Sequence, residues 1–192
     1  MRKAKIVRKT RETQITMELN LDGTGRSDIR TPLPFLSHML TLFAHHSGFD
    51  LKIRAGGDIE VDAHHLTEDL GIVAGQSVLK ALADKKGIAR YASVSLPMDE
   101  ALVDAALDIS GRPYLGFSVG FGRSKKDEFD FELIEEFFRS LVTEARLTLH
   151  MRKLAGKNNH HIAEAAFKGF ARALGAACRI SSNKIPSTKG IL

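Results

Sequence analysis

Hydrophobic and polar residues alternate in two stretches of the chain that lie 88 residues apart. Residues 12–23 (ETQITMELNLDG) and 100–111 (EALVDAALDISG) both begin with glutamate, place apolar residues at every second position, and end with glycine. This alternation is typical of a strand with one face on a core, and the final glycine suits a turn. The pattern therefore predicts a β-strand at matching places in two halves of the chain.

Apolar residues at helical spacing follow each of these predicted strands. Residues 34–53 and 132–151 lie 98 residues apart, and each begins with a helical stripe and ends in alternating apolar residues. This order predicts a helix followed by a strand. The same spacing predicts a second helix in each half, from about 64 to 85 and from about 160 to 179.

The repeated order of elements predicts an α+β fold built from a duplicated half. In each half the helices are expected to cover one face of a sheet, so the repeat alone suggests one sheet layer packed against one helix layer. Matching segments lie 88, 98 and 96 residues apart, which indicates that the loops differ in length while the elements persist. We expect residues 1–192 to form a single domain of two internal repeats, about 1–92 and 93–192.

Composition and charge narrow the class of protein. Hydrophobic residues make up 43% of the chain and charged residues 27%, as in ordinary globular domains. The net charge of +5 suits an anionic small molecule and would also suit nucleic acid. The chain has no Trp, only two Tyr, and arginines that are spread out, so we expect no nucleic-acid partner.

The cysteine count and the lengths of the apolar runs bear on disulfide formation, metal binding and membrane insertion. Cys178 is the only cysteine, which excludes an intramolecular disulfide and a cysteine metal cage. No run approaches 18 apolar residues, and no apolar run follows the basic residues near the amino terminus. We therefore expect no membrane partner and a cytoplasmic location.

The strongest chemical signal is a His-His-x-x-Glu tetrad that occurs twice, 96 residues apart, at residues 64–68 and 160–164. On a helix the carboxylate follows the two histidines by four and three positions, so it can share a face with an imidazole. The neighbouring imidazole projects about 100° away and is free to reach a second ion. Imidazole and carboxylate are both ligands of divalent metals. The duplication predicts a binuclear metal site.

The tetrads and several other segments resemble one family. VDAHHLTEDLGIVAG (61–75), GKNNHHIAEAAFKGFARAL (156–174), FLSHMLTLFAHHSGFDL (35–51) and IPSTKG (185–190) are similar to the imidazoleglycerol-phosphate dehydratase family. The resemblance covers almost the whole chain. It implies a duplicated βαβ half with a four-stranded sheet and a helix layer in each half, a ribosomal protein S5 domain 2-like fold. It also implies self-association into a homo-oligomer of 24 subunits.

The implied activity is the metal-dependent dehydration of imidazole glycerol phosphate to imidazole acetol phosphate in histidine biosynthesis. It would run through a metal-bound imidazolate and a diazafulvene-like intermediate. A carboxylate must take the carbon-bound proton, and Glu12 and Glu164 are the candidates. The resemblance implies that the following residues bind the substrate: Glu12, His46, Arg90, Arg112, Lys168, Ser187, Thr188 and Lys189.

The implied cofactor is Mn²⁺, two ions per active site between subunits. One ion would have the ligands His38, His65, His160 and Glu164, and the other His64, Glu68, Glu136 and His161. The family usually has a histidine where this chain has Glu136, which lies opposite His38 at the offset of 98. A carboxylate suits Mn²⁺. The alternative is that Glu136 is a solvated carboxylate and that His150 is the eighth ligand.

Two further points qualify the resemblance. The family commonly has glycines and an aspartate before its first ligand, where this chain has Pro32, Pro34 and Ser37. The resemblance therefore does not predict the conformation of the loop before His38. A non-catalytic metal-binding protein is the alternative class. It would need the ligands but not Glu12, Arg90 or Lys189.

Overall fold

The computed structural model describes residues 1–122 and 129–192, and both halves follow the same order of elements. The first half contains β1 (Lys3–Lys9), β2 (Thr13–Asn20), β3 (Ser27–Arg30), α1 (Pro34–Ser47), β4 (Asp50–Gly57) and α2 (His64–Leu82). The second contains β5 (Tyr91–Met98), β6 (Ala101–Asp108), β7 (Tyr114–Ser118), α3 (Leu133–Ala145), β8 (Thr148–Ala155) and α4 (Asn159–Ala177). The predicted duplicated α+β fold is confirmed.

Each half forms its own four-stranded sheet with the same strand order, β1-β2-β4-β3 and β5-β6-β8-β7. In both sheets the first three strands in this order are antiparallel and the last edge strand is parallel to its neighbour. The strands of the two halves do not join in the described part of the chain. The single sheet layer suggested by the repeat alone is therefore wrong, and the sheet in each half implied by the resemblance is correct.

The helices lie on the sheets and join the two halves. Helices α1 and α2 pack on the first sheet and α3 and α4 on the second, while α2 packs against α3 and α1 against α4. The alternating strand residues that face the helices are almost completely buried, for example Ile15, Met17 and Val103. Aromatic rings fill the helix layer, with ring centroids of Phe138 and Phe167 4.9 Å apart. The core therefore lies where helices of the two halves meet.

Glycines allow the helices of the two halves to approach closely. A Cβ added at Gly71 or Gly75 of α2 would lie 2.5 or 2.4 Å from a backbone carbonyl oxygen of α3. A Cβ at Gly175 of α4 would lie 2.5 Å from the carbonyl oxygen of Ser47 at the end of α1. Both inter-half contacts thus involve backbone against backbone, and the one at Gly175 places the last turn of α4 against the end of α1. No helix among the described residues is long and apolar enough to cross a membrane.

Candidate metal centre

Both tetrads lie at the amino-terminal ends of helices, where the repeat predicts them. The first begins α2 at its first residue, and the second occupies the first turn of α4. In α4 the side chain of Asn158 accepts hydrogen bonds from the backbone N–H groups of His160 and His161, at 2.9 and 3.4 Å. An N-cap of this kind fixes the first turn of a helix. The second pair of histidines therefore projects from an ordered helix end.

One group of imidazole and carboxylate side chains in the described chain is compact enough to hold an ion. The ligand atoms of His38, His160 and Glu164 all lie within 4.8 Å of one another. Nε2 of His38 lies 3.2 Å, and Nε2 of His160 2.9 Å, from the same Oε1 of Glu164. The close packing of α1 on α4 brings together residues that lie 126 positions apart. Three of the four ligands predicted for one ion thus meet in a single chain.

Glu164 is the ionised centre of this group. Its carboxylate is buried, with the residue 7% exposed. Burial alone would raise its pKa, but hydrogen bonds from Lys168, His38 and His160 outweigh burial and hold the pKa at about 2. Lys168 contacts the second oxygen, Oε2. A buried carboxylate that stays ionised between imidazoles is a donor set that fits Mn²⁺.

The first tetrad forms a looser arrangement. Nε2 of His64 lies 3.8 Å from Oε2 of Glu68, and both side chains are nearly half exposed. His65 and His161 do not enter the compact group within one chain, although the sequence interpretation placed His65 in it. All four side chains are partly exposed at the ends of their helices.

Two carboxylates that sequence reasoning missed hold the second histidine of each tetrad. Oδ2 of Asp58 lies 3.0 Å from Nδ1 of His65, and Oε2 of Glu100 lies 2.7 Å from Nδ1 of His161. These hydrogen bonds raise the pKa of both histidines. A partner on Nδ1 leaves Nε2 as the ring nitrogen that could bind a metal. The repeat could have indicated Glu100, because it matches Glu12 at the offset of 88.

Three further predicted site residues lie near the histidine–carboxylate group or beside its neighbours. Lys168 contacts Glu164. His46 lies half-buried on α1, and its pKa is lowered mainly by burial and then by the charges of His45 and Lys168. Glu12 is exposed, and its carbonyl accepts a hydrogen bond from the N–H of Asp58 at 3.1 Å. Glu12 thus lies beside the carboxylate that holds His65.

The two candidates for the eighth ligand lie in different environments. Glu136 is half-buried in the first turn of α3, on the helix layer that carries the other ligands. His150 is exposed on β8, on the face of the second sheet opposite to the buried residues Leu149 and Met151. Its ring packs against Tyr114, with centroids 5.2 Å apart. This placement favours Glu136.

The unusual residues before His38 form an ordered helix start. Pro34 begins α1, a position where its missing N–H costs nothing. The hydroxyl of Ser37 lies 2.8 Å from that of Thr31, which also accepts a hydrogen bond from the N–H of Leu33. Ser37 therefore stabilises the turn into α1.

The predicted phosphate-binding residues meet in a separate cavity. A cavity of about 540 Å³ is lined by Arg90, Arg112, Ser187, Thr188 and Lys189. Arg90 is held there by Asp108, at 2.7 and 3.2 Å, and donates to the carbonyl of Pro186 at 2.8 Å. Arg90 thus fixes the segment that carries Ser187 to Lys189. Among the described side chains that line this anion pocket, none is acidic.

The fold and the site define an α+β protein with a histidine–carboxylate centre and a cavity lined by basic side chains. A model of the imidazoleglycerol-phosphate dehydratase family matches residues 31–174. An imidazoleglycerol-phosphate dehydratase from Xanthobacter autotrophicus is 56% identical, over 100% of this chain and 99% of its own length. One from Caldicellulosiruptor saccharolyticus is 52% identical, over 98% of this chain and 97% of its own. The chain belongs to the imidazoleglycerol-phosphate dehydratase family, and it is a hydro-lyase.

Solved structures agree with this assignment. The crystal structure of imidazoleglycerol-phosphate dehydratase from Staphylococcus aureus has a TM-score of 0.84 and 46% identity, covering 93% of this chain and 99% of that one. The enzyme from Pyrococcus furiosus, in complex with (S)-C348, has a TM-score of 0.85 and 38% identity, covering 97% and 100%. The predicted family is therefore confirmed.

Proposed function

We propose that this chain dehydrates imidazole glycerol phosphate to imidazole acetol phosphate in histidine biosynthesis, with two Mn²⁺ ions per active site and a diazafulvene-like intermediate. Membership of the family supports the reaction. The observation that carries the metal proposal is the convergence of His38, His160 and Glu164 within 4.8 Å. Their two imidazole nitrogens and one ionised oxygen are the donors that such an ion needs.

The two ions would be shared between subunits of a large homo-oligomer, which we propose has 24 copies. Within one described chain three ligands meet, whereas His64 and Glu68 face solvent together. The Nδ1 atoms of His65 and His161 are paired with Asp58 and Glu100, so their Nε2 atoms would be the metal donors. Helix ends from neighbouring copies would complete each set.

The surroundings of Glu164 and Glu12 suggest different roles for the two carboxylates. Both oxygens of Glu164 are engaged, Oε1 by His38 and His160 and Oε2 by Lys168. Glu164 therefore serves best to hold and orient, and we assign removal of the carbon-bound proton to the exposed Glu12. When bound, the ions would supply Lewis-acid stabilisation of the charge that develops on the imidazole ring.

The reaction balances without an oxidant or reductant. A proton and a hydroxyl group leave neighbouring carbons of the glycerol tail as water, and the resulting enol tautomerises to the ketone. The cations of the anion pocket would hold the phosphate at the far end of the substrate. Holding the tail at its phosphate limits its rotation while the proton is removed.

The test is turnover of imidazole glycerol phosphate by chelator-stripped protein before and after addition of Mn²⁺. We expect activity to disappear on stripping and to return with Mn²⁺, and the assembly to dissociate when the metal is removed. Full activity of stripped protein, shown to be metal-free by elemental analysis, would contradict the metal dependence. Metal binding without turnover would contradict the assigned substrate.

The eighth ligand is tested by a matched pair of variants. Glu136→Gln is expected to reduce the Mn²⁺ content from two ions to about one per chain, because it removes a charged ligand on the helix layer. His150→Gln should keep both ions, because His150 lies on the opposite face of its sheet. Elemental analysis of both proteins makes the comparison. The reverse result would assign the ligand to His150.

A further inference from the structure

Three cations that line the anion pocket have backbone conformations that favour glycine. Lys85, Arg90 and Arg146 have φ values of +57°, +76° and +54°. All three line the cavity of about 540 Å³ described above. Side chains with a Cβ rarely adopt this region because it is sterically costly. Such conformations persist where the residue contributes something else, and they concentrate at functional sites.

The internal repeat shows which residue type suits the backbone conformation at Arg146. Arg146 ends α3, and Gly48 ends α1 at the same place in the first half, 98 residues earlier. Gly48 has φ +78°, as expected for a glycine that ends a helix. The first half therefore ends its helix with the favourable residue. Arginine in the second half is not needed to end α3, and its exposed side chain borders the pocket.

Lys85 occupies an unfavourable position for a second reason. The residue is only 6% exposed. Burial, followed by the positive charges of Arg146 and Arg90, lowers its pKa, and only Asp108 acts in the opposite direction. Its Nζ lies 3.5 Å from the position that a Cβ on Gly111 would take. The amino group thus reaches the segment that leads into Arg112, which also lines the pocket.

Among the described residues, Lys85 and Arg146 form no ion pair of the kind that Arg90 forms. Arg90 forms a two-point ion pair with Asp108. A buried lysine among cations is stabilised in its charged form by an added anion. A phosphate group carries nearly two negative charges and several acceptor oxygens, so it would compensate several cations at once.

We propose that Arg146 and Lys85 bind the phosphate group of the substrate directly, next to Arg112 and Lys189. This inference rests on the proposed function and adds to it two residues that sequence reasoning did not identify. Both carry an unfavourable backbone conformation, and Lys85 is also desolvated. The protein would retain them at a cost in stability because they are needed for anion binding.

The experiment uses Arg146→Gly and Lys85→Gln in the full-length Mn²⁺-loaded protein. For each variant we expect the KM for imidazole glycerol phosphate and the inhibition constant of inorganic phosphate to rise about tenfold or more. The loss of one charge-assisted hydrogen bond weakens binding by about this factor. The inhibition constant of imidazole, which carries no phosphate, should stay unchanged. The Tm should be unchanged or higher, because Arg146→Gly places glycine where φ is positive.

The control is Arg152→Gln, which removes an exposed charge from β8 outside the pocket and should change none of these values. Unchanged phosphate inhibition in both variants would overturn the inference, and so would a fall in Tm with equal weakening of imidazole and phosphate. A raised inhibition constant of inorganic phosphate with an unchanged KM for imidazole glycerol phosphate would show that the two residues do not bind the phosphate group of the substrate. Wild-type protein that does not turn over the substrate would instead refute the proposed function.

Discussion

Glu164→Gln is expected to reduce turnover of imidazole glycerol phosphate more than about a hundredfold and to lower the Mn²⁺ content of the protein. The loss of an outer partner of a metal ligand alone costs about 10–100-fold, and Glu164 is expected to be a ligand itself. Glutamine keeps the size of the side chain but removes the charge shared by His38, His160 and Lys168. The loss also leaves Lys168 without its carboxylate partner.

The measurement combines steady-state kinetics with elemental analysis. Glu18→Gln is the matched control, because it makes the same chemical change in an exposed pair with Lys5 on the first sheet. We expect the control to retain wild-type activity and metal. A Glu164→Gln protein with more than a tenth of the wild-type kcat/KM and a full complement of Mn²⁺ would show that this carboxylate is not a ligand.

Gly75→Ala is expected to lower the free energy of unfolding by about 3 kcal/mol, a large value for adding one methyl group. The new Cβ would lie 2.4 Å from the carbonyl oxygen of Leu141 and 2.9 Å from the backbone nitrogen of Ala145. Backbone atoms of a packed helix cannot move aside as the end of a flexible side chain can. Helices α2 and α3 would have to separate, and with them the two halves of the molecule.

Gly169→Ala provides the control within the same helix layer. A Cβ there would lie 3.6 Å from its nearest neighbours, which is ordinary contact. Alanine favours a helix over glycine by about 1 kcal/mol, so this variant should be unchanged or more stable. Urea unfolding of both variants at one protein concentration measures the difference. Equal stabilities would show that α2 and α3 do not pack as closely as described.

The strands and helices could be predicted from the sequence because their signal is local. The alternation in residues 12–23 and 100–111 became β2 and β6, and the apolar stripes became the four helices. The end of α2 was predicted three residues too late, since the helix stops at Leu82 where Ala83 takes a positive φ. Alanine favours helices, so its residue type carried no sign of this conformation.

The site could be predicted only in part. The tetrads indicated the ligand types, and resemblance to the family added His38 and the phosphate-binding residues. Asp58 was missed because a carboxylate in a loop shows no sign of the histidine that it will hold, whereas Glu100 was missed although the repeat matches it to Glu12. Lys85 and Arg146 were missed because nothing in their local sequence distinguishes them from the other lysines and arginines of the chain.

The sequence by itself determined the duplicated order of elements, the chemical types of the metal ligands and their position on helices, since each depends on neighbours within a few residues. Only the tertiary structure decided that the halves keep separate sheets and meet through their helices. It also decided that His38 meets Glu164 across 126 positions and that Lys85, Arg112 and Arg146 border one cavity. Those outcomes depend on how closely α1 packs on α4 and α2 on α3. Periodicity shows which face of a helix is buried but not which helix will cover it.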